Sequence, residues 1–256
     1  MKAATWNVNS LRVRLPHVTQ WLGTEQADIL CLQETKLVDA DFPASAIKDA
    51  GYHAAFSGQK TYNGVATLST SPPQDIVTAL PGLDDPQRRL LAATIDGVRV
   101  VNVYIPNGQE VGSEKYQYKL MWLESLLAYL QVELKSHTRL MLLGDFNIAP
   151  ADEDVHDPEQ WRDKVLCSEP ERAMFQQLIG LGLDDVYRKF DQEPNTFSWW
   201  DYRAAGFRRN LGLRIDHILC SQELYRPCAG CVIDKAPRKW ERPSDHTPVV
   251  AEFAAT

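Results

Sequence analysis

RLMLLGDFN, residues Arg139 to Asn147, runs four apolar side chains (Leu140, Met141, Leu142, Leu143) through Gly144 into a carboxylate, an aromatic and an amide. An unbroken apolar run of this kind reads as a strand covered on both faces. A buried strand normally ends in turn residues with no further task. Here Asp145 and Asn147 sit two apart, so on a continued strand they point to one side and Phe146 to the other, into packing. Two hydrogen-bonding groups then project together from the rim of a buried sheet.

Seven more stretches read as buried strands: AATWNV, DILCLQE, GVATLS, LLAATI, VRVVNVYI, LRIDHILCS and TPVVAEF. Helical patterns lie between some of them. Leu120, Leu123, Leu127, Leu130 and Leu134 recur at spacings of three and four and form one apolar face. A second helix opens at Ser168 with Glu171 three residues on, a capping box, and stops near Gly180 and Gly182. Helices mixed with many strands predict sheets packed face to face with helices outside, an α/β (α+β) sandwich. No repeat, low-complexity segment or long linker divides the 256 residues, which read as a single domain, residues 1–256.

Composition narrows the function classes. Apolar content of 44% and charged content of 24% are those of a globular protein, and no apolar stretch approaches the ~20 residues of a membrane span. The N-terminus lacks the charged-then-apolar pattern of a secretory signal. The cysteine count is odd, at five, and Cys31 lies inside an apolar strand, which argues against a disulfide framework. Cys228-Ala-Gly-Cys231 is a lone C-x-x-C without a second pair or nearby histidines, and reduced thiols are the expectation. A cytoplasmic location follows. The net charge of −7 opposes nonspecific coating of nucleic acid but hides unevenness. Pro150–Glu159 is purely acidic among its charges, Arg203–Arg214 is basic with no acid, and Lys235–Arg242 has four cations against Glu241. Solvated loops are the ordinary reading of each stretch. The first basic run follows FSWWDYR, and aromatics beside arginines suit a nucleotide-binding surface.

Polar groups end the other strands too: Asn7 and Asn9 after ATWNVN, Glu34 and Lys36 after ILCLQETK, Tyr104 and Asn107 after VVNVYIPN. Asp216 sits inside LRIDHIL, and Asp245 and His246 precede the last strand. Singly, each has an ordinary role: Asn7 as a helix cap, Glu34 in a rim salt bridge, Asp145 closing an Asx turn. Six strand ends carrying oxygen and nitrogen donors exceed what turn chemistry needs. Carboxylates and amides offer hard oxygens to Mg²⁺, an Asp orients or deprotonates water, and a His donates to a phosphate oxygen. With no serine elbow, P-loop or G-x-G-x-x-G in the chain, the set predicts metal-assisted hydrolysis of a phosphate ester by water.

The order WNVNSLR, LCLQETK, NGVATLS, VYIPNG, GDFNIAP, FSWWDYR, GLRIDHIL, PSDHTPV resembles the exonuclease III family of abasic-site endonucleases, from Met1 to Phe253. GDFN and SDH are shared across the wider endonuclease/exonuclease/phosphatase superfamily; LQETK, FSWWDYR and LRIDHIL are specific to its DNA-repair branch. The resemblance implies a DNase I-like four-layer sandwich of two packed, mostly antiparallel sheets flanked by helices. It implies Mg²⁺, with Mn²⁺ as a substitute, held by Glu34 with Asn7 and Asp245, and a second position among Asp145, Asn147 and His246. Asp145 takes the water role, Asn147 orients water and phosphate, His246 contacts phosphate with Asp216 orienting it, and Tyr104 meets the phosphate and the leaving oxygen. Lys36, Asn107, Trp199, Trp200, Arg203 and Leu213 fall on the DNA side, Trp199 and Leu213 walling a pocket for a flipped-out, base-less sugar that a normal base would overfill. Glu110 departs from the pattern, because phosphate contacts in that loop call for Lys or Arg.

The resulting expectation is a monomeric Mg²⁺-dependent nuclease that cuts duplex DNA 5′ of abasic sites, removes 3′-blocking groups as a 3′-phosphodiesterase and 3′-phosphatase, and degrades DNA as a 3′-5′ exonuclease. Two alternatives stand beside it: a phosphodiesterase of the same superfamily acting on lipid or inositol phosphates, opposed by FSWWDYR, and a DNA-binding relative without catalysis, opposed by the full polar set.

Overall fold

A computed structural model of the chain describes residues 1–254. One six-stranded sheet comprises β1 (Lys2–Asn7), β2 (Ile29–Gln33), β3 (His53–Ser57), β4 (Val65–Ser69), β13 (Cys228–Ile233) and β14 (Val249–Phe253), in the order β13-β14-β1-β2-β4-β3. The second comprises β5 (Gln74–Val77), β6 (Leu90–Ile95), β7 (Val98–Tyr104), β8 (Leu140–Asp145), β9 (Leu183–Asp185) and β12 (Asp216–Ser221), in the order β5-β6-β7-β8-β12-β9. A two-stranded ribbon of β10 (Trp199–Trp200) and β11 (Gly212–Leu213) lies apart from them. The helices are α1 (Leu11–Glu25), α2 (Ala44–Asp49), α3 (Glu114–Ser136), α4 (Pro158–Trp161), α5 (Glu169–Gly180) and α6 (Gln222–Tyr225).

The two sheets share one plan. Each has a single parallel pair, β1 with β2 and β7 with β8, and all other pairings are antiparallel. A parallel pair needs a crossover, supplied by α1 in the first sheet and α3 in the second. The duplication is topological and leaves no sequence repeat.

Strand parity builds the layers. In β8, Met141 and Leu143 face the first sheet alongside Ala3, Ile29 and Cys31, while Leu140 and Leu142 face outward onto α3 and α5. The outer face of the first sheet, with Ala4, Trp6, Leu30 and Leu32, packs on Leu11, Val18, Trp21 and Leu22 of α1 and Ile47 of α2. Helices, sheet, sheet, helices make the expected four layers. The apolar face of α3 is as expected: Leu123, Leu127 and Leu130 are buried, with Leu120 and Leu134 packed at its margins. At the start of α5, the Glu171 carboxylate accepts from the Ser168 backbone N–H (3.2 Å), half of the expected capping box.

Gly144, which interrupts the apolar run of RLMLLGDFN, is required by the packing of β8 on β7. A Cβ there would stand 1.9 Å from the carbonyl oxygen of Val103 on β7, its register partner. Only glycine lets the two parallel strands run so close at this level.

Candidate active site

The same parity converges the strand ends. Asn7 closes β1, Tyr104 closes β7 and Asp145 closes β8, and all three lie on the inner faces, continuing the rows of Ala3, Val100 and Leu143. Asp216, paired with Asp145 in register, opens β12 on the same face as Ile218. By alternation Glu34, one residue beyond β2, belongs on the outer face; its left-handed backbone (φ 51°) breaks the alternation and turns it inward. Hydrogen bonds Ser10 N–H to Glu34 O (2.8 Å) and Thr35 N–H to Gly64 O (3.1 Å) hold that turn.

The resulting cluster is tight. One ligand atom each from Glu34, Asp145 and His246 lie within 4.8 Å of one another. The Asn7 amide NH₂ donates to Glu34 Oε1 (2.9 Å) and to Asp145 Oδ2 (2.8 Å), while its oxygen accepts from the Asn9 N–H (2.9 Å). Lys36 pairs with Glu34 at 2.9 Å. His246 Nδ1 faces both oxygens of Asp216 (2.8 and 3.1 Å), and its Nε2 stands 3.6 Å from Asp145 Oδ2. Burial disfavours the imidazolium, but Asp216 and Asp145 outweigh it and raise His246 to about 10. In the metal-free protein His246 is therefore a cationic donor aimed into the site. Asp145, fully buried, is pushed up to about 7 by desolvation and by its acidic neighbours Asp216 and Glu34, against the pull of His246 and the Asn7 hydrogen bond. Burial, with Glu34 and Asp145 nearby, raises Tyr104 well above its usual value and keeps it a phenol. Arg89 stacks on its ring, 4.6 Å from the centroid.

Glu34, Asp145 and Asn7 fit a hard cation such as Mg²⁺ or Mn²⁺ by donor chemistry. Asn7 would join them only by turning its amide over and releasing Asn9. Asp245 stands outside this cluster: its oxygens accept from Asn9 Nδ2 (3.0 Å) and Trp199 Nε1 (3.1 Å), so it ties the SDH loop to β10.

The strand does not continue to Asn147. That residue is left-handed (φ 50°), and its N–H donates to Asp145 Oδ1 (2.9 Å), so the Asx turn and the site position hold together. Phe146 packs outward against Phe175 and His217, as its parity predicts. The Asn147 amide is fixed at both ends, donating to Ile105 O (3.0 Å) and accepting from Asn107 Nδ2 (3.1 Å).

Among the residues expected on the DNA side, two have no exposed surface. Trp200 is completely buried, its Nε1 bonded to Asn210 and its ring beside Phe207 and Arg238, so it packs within its loop. Leu213 also has no exposed surface; it packs with Val155, Leu166 and Ile215 beneath half-buried Trp199. Arg203 has a side chain 91% exposed, with Asp201 3.4 Å away at the surface. Arg214, counted in the basic stretch, is buried and paired with Asp154 (2.6 Å) of the acidic stretch and with Asp185 (2.8 Å). One charge of each unbalanced segment is thus neutralised by the other inside the protein, Arg214 on Asp154. Arg214 also reaches His217 Nδ1 (3.0 Å); burial and Arg214 lower that histidine to about 3, and its neutral ring bonds Ile148 O (2.8 Å).

Sequence reasoning missed the supports: His217, Arg214, Asp154 and the buried pair Lys119–Glu171. Their only signal was a charge or imidazole at a position whose neighbours demanded burial.

Inward-facing carboxylates, a cationic histidine and amides at the carboxyl ends of parallel strands define a phosphoester hydrolase of the two-sheet sandwich type. Residues 4–246 match the Endonuclease/Exonuclease/phosphatase family, and the chain belongs to it. Exodeoxyribonuclease III of Haemophilus influenzae is 37% identical over 99% of this chain and 100% of its own length. A 3′ phosphatase from Neisseria, solved with product DNA hairpin, is 52% identical with a TM-score of 0.98, each chain fully covered. An AP endonuclease from Archaeoglobus fulgidus is 41% identical with a TM-score of 0.95, again with full coverage of both. Within the family the chain falls in the exonuclease III branch of DNA-repair nucleases.

Proposed function

We propose that this chain, acting as a single-domain monomer, is a Mg²⁺-dependent hydrolase of DNA phosphoesters, working 5′ of abasic sites and at blocked 3′ ends. The observation that carries this is the Glu34–Asp145–His246 cluster backed by Asp216, all on one inner rim. Mg²⁺, when bound by Glu34 and Asp145 with Asn7, supplies Lewis acidity toward the phosphate. The protein's own groups do the rest. Asp145 accepts a proton from or orients water, and Asn147 with Asn107 holds the phosphate from the β7–β8 side. His246, cationic and steered by Asp216, neutralises a phosphate oxygen, and the Tyr104 phenol offers a proton toward the leaving oxygen.

Between the two activities, the sealed packing of Leu213 under Trp199 favours 3′-end processing over incision at internal abasic sites. A flipped sugar needs an open pocket there, whereas a terminal phosphate reaches the cluster without one. The test compares two duplexes in Mg²⁺, one with an internal tetrahydrofuran abasic analogue and one with a nick bearing a 3′-phosphate. Faster turnover of the 3′-phosphate is expected; faster nicking at tetrahydrofuran rejects the preference, and inactivity on both rejects the function.

A further inference from the structure

Lys119, on α3, is the least expected residue near the site: a lysine with no exposed surface, in a helix whose other buried residues are aromatic or leucine. Each of its three ammonium protons has an acceptor. Nζ donates to Asn147 O at 2.6 Å, to Asn107 O at 3.2 Å and to the Glu171 carboxylate. Glu171, equally buried, is itself saturated: Oε1 also accepts from the Leu166 N–H (3.0 Å), and Oε2 from the N–H and hydroxyl of Ser168. The loop holding Asn107 rests directly on the lysine stem. Gly108 (φ 92°) lies so close that a Cβ would meet Lys119 Cδ at 3.2 Å.

A buried ion pair is a poor device for stability. Desolvation cancels most of its attraction, and an apolar pair of equal volume does as well or better. What this pair does that an apolar pair does not is hold two carbonyls. Those carbonyls belong to the two asparagines whose side chains bond to each other at the rim, one of them with a left-handed backbone. An ammonium anchored to a second helix fixes both loop backbones from beneath and so sets where the two amides point.

We propose that Lys119 and Glu171 form a positioning pair for the phosphate-binding asparagines, acting on the reaction through Asn107 and Asn147 without touching substrate. This rests on the reading that these asparagines hold the scissile phosphate. The pair makes no hydrogen bond to Glu34, Asp145 or His246, so it reaches the site through the two asparagines.

The test uses the Lys119→Met/Glu171→Met double variant of the full chain with the nicked 3′-phosphate duplex in Mg²⁺. The double variant is expected to melt below the wild-type temperature, because the carbonyls of Asn107 and Asn147 and the N–H groups of Leu166 and Ser168 lose their partners. It is assayed well below that point, where it is folded. Its kcat should nevertheless fall about 10²-fold, the cost of roughly ångström-scale misplacement. The Mg²⁺ concentration giving half-maximal rate should stay within about twofold, because metal binding is a separate equilibrium from transition-state stabilisation. A structural role predicts the opposite, that activity returns with stability. Wild-type kcat in a stably folded double variant overturns the proposal while leaving the functional reading intact, and an inactive wild type removes the reading itself. If the double variant does not fold, Lys119→Met alone is assayed well below its melting temperature. A kcat within about threefold of wild type there overturns the positioning role, since lost transition-state contacts must appear in kcat.

Discussion

At the scale of single residues, Asp145 carries two duties on one carboxylate. Its Oδ1 closes the Asx turn with Asn147, and its Oδ2 faces Asn7 and His246. Asp145→Asn keeps a turn-closing oxygen and loses the base, so turnover should drop at least ~10²-fold with an unchanged melting temperature. Normal turnover would reduce Asp145 to a turn residue. Because the carboxyl is raised to about 7, above its ordinary range, the metal-free folded state keeps a proton that the unfolded chain releases, and stability falls as pH rises through that interval. A cation competing with that proton binds better as pH rises. The gain in melting temperature on adding Mg²⁺ should therefore be larger at about pH 8 than at about pH 5.5. His246 has the same sign over a higher interval. Its raised value means that the stability from pairing with Asp216 is complete below its ordinary 6.5 and is lost as pH climbs toward about 10. Asp216→Asn should move the alkaline limb of the pH–rate profile down by about 1–3 units, and an unmoved limb would remove Asp216 as the orienting group.

At the scale of elements, legibility followed burial. The eight strands readable from sequence are β1, β2, β4, β6, β7, β8, β12 and β14, the four inner strands of each sheet. Of the six not readable, β3, β5, β9 and β13 are the four edges of the large sheets, and β10 and β11 are the two-residue strands of the ribbon. An edge strand is half solvated and carries mixed residues, as in the exposed run of β5, so no continuous apolar signal marks it. The rigid floor of the site comes from the close approach of β7 and β8 at Gly144. Gly144→Ala drives a methyl into the Val103 carbonyl, and a loss upwards of about 4 kcal/mol is expected, in the exceptional range for one substitution. Chemical denaturation measures it; a loss below about 1 kcal/mol, the level of an ordinary substitution, would mean that the strands part easily and the floor is soft.

At the scale of the whole molecule, charge is sorted by location more than by sign. Arg214 and Arg238 leave the basic stretches for the interior, one on Asp154 and Asp185, the other against Trp200, Tyr202 and Phe207. The cations of these stretches that stay exposed are Arg203, Arg208, Arg209, Lys235, Lys239 and Arg242. Arg203→Ala should weaken DNA binding at every sequence alike and shrink the salt slope by about one unit, with turnover preserved. Anisotropy titrations across a NaCl series provide the check, and an unaltered slope would take Arg203 out of the interface. No helix among the described residues is long and apolar enough to cross a membrane.

The sequence by itself determined the class of fold, the inner strands and most of the site, because buried strands and their polar ends are written in local order, Asp145 beside its apolar run above all. Tertiary structure decided the rest. It turned Glu34 inward against its strand parity, buried Trp200 and Leu213 away from solvent, bonded Asp245 to Trp199, and set Lys119 under the two asparagines. Each of these depends on a partner distant in the chain or on a backbone angle fixed by another segment. Side-chain identity states what a residue is able to do; which neighbour it meets is settled only when the two sheets close on each other.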